Sequence, residues 1–127
     1  MTAPIRARHA LFSTLVGLAS LAILLQAVWA GMFIRSGEAN DAFWVTVHAR
    51  GAEVAIALAF AALVVACWRL RARHDLLIGS AALTLLLVLE AYLGGLIVDH
   101  HGLQVLHFPL ALGLLVVAVW LPYRARH

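Results

Sequence analysis

The chain has 127 residues, of which 65% are hydrophobic and 12% charged, and its formal net charge is +3. A soluble domain carries about 25% charged residues, so a core driven together by water is excluded, as is a membrane barrel, whose strands are short and alternate. No basic stripe interleaved with aromatics is present, which sets nucleic acid aside as a partner.

Four apolar segments follow one another, near residues 10–34, 43–68, 76–98 and 104–122. Crossing a bilayer takes roughly 20 apolar residues; the first three segments exceed that and the fourth meets it. The first begins after Arg6 and Arg8 and runs past residue 30. A signal-peptide core is only about 7–15 residues long, so this segment reads as a retained helix. The second carries His48, Arg50 and Glu53 early and Cys67 late. A lone cysteine allows no intramolecular disulfide and reads as a small packing residue. The third contains Glu90 and Gly94-Gly95, and the fourth His107 and Pro109. A fourth helix starting near Leu103 has Pro109 beyond its first turn, with the Val105 carbonyl freed and the helix bent. A later start puts Pro109 in the first turn. The expected fold is all-α: one integral-membrane four-helix bundle, up-down-up-down, spanning residues 1–127 as a single domain.

Arginine placement orients the bundle. Arg6, Arg8, Arg69, Arg71, Arg73, Arg124 and Arg126 fall on one side, and the chain has no lysine. By the positive-inside rule that side is cytoplasmic, with both termini inside a bacterial inner membrane. The outer side carries the loop from Arg35 to Asp41 and the turn Asp99-His100-His101-Gly102. The charge balance thus points to lipid as a partner. Trp29, Trp44, Trp68 and Trp120 mark helix ends, as an aromatic belt does.

The helices read as a duplicated pair. Gln26 precedes Gly31 in the first as Glu90 precedes Gly95 in the third, and each is followed by a helix with an early histidine. Gln26 and Glu90 are then equivalent and placed to hydrogen-bond across the bundle. In such a bundle the second and fourth helices run parallel on one diagonal. His48 and His107 lie at matching depths, roughly 5–8 Å below the outer boundary at 1.5 Å per residue. Ionisable groups are costly in hydrocarbon and point to function. Two such imidazoles facing each other suit the two axial positions of one haem b iron. Gly31, Gly94 and Gly95 lie in the same layer, where glycine lets a flat group approach the backbone. Arg35 and Arg50 are the nearby cations for haem propionates. His100 and His101 are the rival ligands to His107, or with Asp99 a surface metal site. Glu53 and Glu90, deeper in the membrane, are expected to be neutral or paired.

On these residues the chain resembles one four-helix half of the haem A synthase family. The matching positions are Gln26 with Gly31, His48, Gly94 with Gly95, and His107, spread over nearly the whole chain. It also resembles small four-helix haem-binding membrane proteins of high-GC bacteria. Two departures stand out. The synthases have a glutamate three residues before the first histidine, where this chain has Val45, and glutamine where it has Glu90. The expected function is therefore a bis-histidine haem b protein near the outer face, for electron transfer or haem handling. The alternatives are a synthase-like enzyme that modifies a haem side chain, and a haem-free accessory subunit. A homo-oligomer, or a larger respiratory or haem-biosynthesis complex, is the setting these readings imply.

Overall fold

In the computed structural model, which describes residues 3–36, 38–97 and 99–126, four long helices form the fold: α1 (Ala3–Ser36), α2 (Glu38–Arg69), α3 (His74–Leu96) and α4 (Gln104–Arg126). The side chains of residues 3–8, 35–36 and 38–41 lie outside that description, those of Arg6, Arg8 and Arg35 among them. Each helix contains a stretch long and apolar enough to cross a membrane: His9–Ile34, Ala42–Arg69, His74–Leu96 and, with the 3-10 turn before α4, His101–Arg126. In hydrocarbon every backbone N–H and C=O needs an internal partner, and a helix supplies it. The outer surface bears large apolar side chains such as Leu21, Phe60, Leu85 and Val116, which suits contact with acyl chains.

The helices pack in a ring, α1 on α2, α2 on α3, α3 on α4 and α4 on α1. The four alternate in direction, so α1 starts and α4 finishes at one end of the bundle, here called the arginine end; the other is the histidine end. Two expected boundaries move. The segment from Arg35 to Asp41, expected as a loop, is mostly helical, because α1 runs through Ser36 and α2 starts at Glu38. Glutamate and alanine, which open α2, are strong helix formers. At the other connection α3 stops at Leu96, and a 3-10 turn at His101–Leu103 leads into α4. Pro109 therefore sits inside α4, as does Pro122.

Each helix buries one stripe, spaced three and four residues apart as one helical face requires. In α1 the stripe includes Phe12, Val16, Ala19 and Ile23; in α3 it includes Leu76, Ser80, Leu83 and Leu87. One constant shift along the sequence relates the two sets. The same holds for Ala55, Ala59, Ala62 and Ala66 in α2 and Leu114, Ala118, Leu121 and Ala125 in α4. The two helix pairs thus turn equivalent faces to one another. The alanine stripe lets α2 lie close to its neighbours, as small residues do in membrane helix packing. Continued towards the histidine end, the α2 stripe passes Gly51 and reaches His48; the α4 stripe passes Leu110 and reaches His107.

Pro122 gives α4 a defect that α1 repairs. Proline has no N–H, so it leaves the carbonyl four residues back, that of Ala118, without its helical partner. The Ser20 hydroxyl lies 2.6 Å from that carbonyl and 2.8 Å from the Val16 carbonyl of its own helix. Membrane helices tolerate proline where such side chains take up the freed group. Ser20→Ala should therefore destabilise the bundle by about 0.6 kcal/mol, the average for interhelical hydrogen bonds in a membrane protein, and by no more than about 1.7 kcal/mol. The same change in a Pro122→Ala background should cost less, because the helix then satisfies Ala118 itself. Unfolding in mixed micelles measures both, and equal costs would remove this pairing.

At the arginine end Asp75 gathers two guanidinium groups. Arg73 binds it through Nε (3.0 Å) and Nη2 (2.9 Å), and the Arg124 Nε lies 2.8 Å from Asp75 Oδ2. The Arg73 Nη2 also donates to the Arg124 carbonyl at 3.0 Å. A bidentate network of this kind holds better than an isolated surface pair. It fixes the α2–α3 connection to the end of α4.

Candidate functional site

The apolar core thins towards the histidine end. No described residue of α1 beyond Ile23 is fully buried, and none of α4 before Leu114. Half-buried polar groups replace it there: Gln26 on α1, His48 on α2 and His107 on α4, with the buried Glu90 on α3.

The equivalent positions Gln26 and Glu90 do not bond to each other across the bundle, as expected from sequence. Each serves the histidine of the next helix. The His48 Nδ1 lies 3.1 Å from the Gln26 main-chain carbonyl and donates to it in the Nδ1–H tautomer. The Gln26 amide then reaches the α2 backbone. Its nitrogen lies 2.8 Å from the His48 carbonyl and 3.1 Å from His48 Nδ1, to which it donates in the Nε2–H tautomer, and its oxygen accepts the Ala52 N–H at 3.0 Å. Phe33 meets the His48 ring edge-on, with centroids 5.6 Å apart. On the other side His107 Nδ1 lies 3.1 Å from Glu90 Oε1. The two atoms do not form a hydrogen bond, and the His107 ring also faces the Glu90 main chain, as His48 faces that of Gln26. Both Glu90 oxygens and His107 Nδ1 are buried without a hydrogen-bond partner.

Gly51 makes the α1–α2 half of this arrangement possible. A Cβ there would collide with the Trp29 ring and the end of the Gln26 amide. Only hydrogen fits where two helices approach this closely. Neither Gly51, Trp29 nor Phe33 figured among the expected site residues. The available signal was the spacing: Gly51 follows His48 by three residues, on the same helix face.

The other expected residues divide. Gly94 serves the His107 ring, since a Cβ there would stand 3.2 Å from its Cε1. Gly31 and Gly95 hold equivalent places in α1 and α3, and a Cβ at either meets nothing within 4 Å. Arg50 is not turned to the histidines. It grips Glu53 through Nη1 at 2.8 and 3.1 Å, and the two side chains are 74% and 62% exposed. Glu53, expected deep and neutral or paired, is paired on the outside of the bundle. The Arg35 side chain falls outside the described residues. His100 and His101 are exposed in the turn.

Among the described residues no three His, Cys, Asp or Glu side chains gather as they would around a metal ion. Neither Asp99 with His100 and His101 nor Glu90 with His48 and His107 forms such a set. The donor set present is two imidazoles. Each has its Nδ1 beside a protein oxygen, so Nε2 is the ring nitrogen turned away from that contact. Metal-binding histidines are held this way, by a carbonyl or carboxylate behind the ring. Two histidines complete an iron whose other four nitrogens come from a porphyrin, and to that requirement these residues fit. The chain matches no protein-family model, no curated protein and no solved structure.

Proposed function

We propose that this chain is a haem b protein of the bacterial inner membrane, with His48 and His107 as axial ligands, acting in electron transfer or haem handling. One observation carries the reading: the two imidazoles continue equivalent buried stripes into the end of the bundle where the apolar core gives out. A bis-histidine haem supplies one-electron chemistry, and with both axial positions filled it disfavours oxygen binding. The chain's own residues do the rest. The Gln26 carbonyl holds the His48 ring, Phe33 limits its tilt, and Gly94 gives the His107 ring room. Gly31 and Gly95 keep the backbone of α1 and α3 free of side chains at the same level. Oxidation of a haem side chain is the weaker reading. Val45, where the resemblance calls for a glutamate, offers no acid–base group and is exposed.

Purified from cells supplied with haem, the protein should yield one haem b per chain as its pyridine haemochrome. A haem with an oxidised side chain would favour the synthase-like reading instead, and no haem would remove both. In this proposal the arginine end is cytoplasmic. A reporter fused after His127 should then be active only if it works in the cytoplasm; activity of a periplasm-dependent reporter would reverse the orientation.

A further inference from the structure

We infer that the side of α2 around Arg50 and Glu53 is the contact between two copies of this chain, packed side by side in the membrane. The inference is independent of the haem reading, since it draws on neither histidine. Glu53 and Arg50 fall on the side of α2 opposite its buried stripe of Ala55, Ala59, Ala62 and Ala66, and both side chains are exposed. The membrane-crossing stretch of α2 begins at Ala42, at the histidine end. At about 1.5 Å per residue, Arg50 lies about 12 Å and Glu53 about 16 Å along it. A bilayer has about 30 Å of hydrocarbon within about 40–45 Å overall, so the two stand roughly 6–10 Å inside the hydrocarbon. Ionisable groups at that depth face a protein interior or a water-filled cavity; these two face away from their own bundle. An arginine can reach back to the headgroups, but Arg50 is turned to Glu53, and the glutamate is too short to follow.

The charges of the pair indicate what covers it. One positive and one negative group make the face complementary to itself, whereas a lipid phosphate suits Arg50 and is repelled by Glu53. Glu53 engages only Nη1 of Arg50, which leaves Nε and Nη2 as donors. Across a twofold axis along the membrane normal the same patch meets itself. Each guanidinium then bridges two carboxylates, its own and that of the second copy. Ala49 and Ala57 are exposed one turn to either side of Glu53, and small residues let two membrane helices approach closely.

The test is disulfide cross-linking of the full chain in membranes, in a Cys67→Ser background with one new cysteine. Ala57→Cys should give a covalent dimer, and Leu85→Cys, exposed on α3, should not. Arg50→Glu added to Ala57→Cys should lower dimerisation by about 5–30-fold, the scale of interhelical polar contacts in a membrane. The exchanged pair, Arg50→Glu with Glu53→Arg, should restore it. Where Arg50→Glu does not accumulate, the comparison of Ala57→Cys with Leu85→Cys decides alone. The inference is overturned by equal cross-linking at those two positions, by none at Ala57→Cys, by a product with a different protein in place of the dimer, or by full dimerisation in Arg50→Glu. Haem content, read on the same samples, tests the functional reading separately.

Discussion

His48→Ala and His107→Ala should each abolish the six-coordinate, low-spin haem. Each histidine fills one axial position of the same iron, so neither replaces the other. Losing an outer partner of a metal ligand typically costs about 10–100-fold in affinity; losing the ligand should cost more. Haem that remains should be five-coordinate, high-spin and open to carbon monoxide. His107→Ala also empties the space beside Gly94 and strands Glu90, so some loss of stability accompanies it. His100→Ala combined with His101→Ala should leave the spectrum as it is, since both side chains are exposed in the turn. Absorption spectra of the purified variants decide this. A low-spin spectrum that survives His107→Ala and disappears in the double variant would move the second ligand to the turn.

Gly51→Leu should be the most damaging change in which no polar group is lost. Its side chain would enter space held by the Trp29 ring and the Gln26 amide. Overpacking typically costs about 1–3 kcal/mol, occasionally more. The upper end is expected here, because the obstacle is a rigid ring on a helix rather than a flexible chain end. The damage should also reach the site, since the displaced Gln26 carries the carbonyl behind His48. Gly95→Leu, at a position with nothing within 4 Å, should leave α1–α2 packing undisturbed. Thermal unfolding in detergent compares the two, and a Gly51→Leu protein as stable as wild type would refute the close approach.

The architecture was legible because hydrocarbon leaves so few choices. Apolar length, arginine clustering and two histidines early in alternate helices carried the bundle and the symmetric reading of its histidines. Pairings between helices were less legible. Arg50 looked like a cation for a propionate because its depth was known and its direction was not. The three-residue step to Glu53 puts the two on neighbouring helical positions, which is enough to join them on the outer face. Gln26 and Glu90 hold equivalent places in α1 and α3, but the ring of neighbours sets each against the next helix rather than across the diagonal. Pro122 and Ser20 were readable only together: the proline shows which carbonyl is freed, while packing alone brings the serine to it. The end of α1 and the start of α2 extend beyond the apolar runs, because polar residues between two such runs resemble a loop in sequence even when they continue the helices.

The central claim, that two histidines from α2 and α4 hold one haem, is tested most directly by the reduced protein under carbon monoxide. Wild type, purified in detergent and reduced with dithionite, should give the sharp α band of a low-spin haem b. Added carbon monoxide should leave it unchanged, because both axial positions are filled from within the chain. A spectrum without a Soret band, or one converted at once by carbon monoxide, would contradict the account.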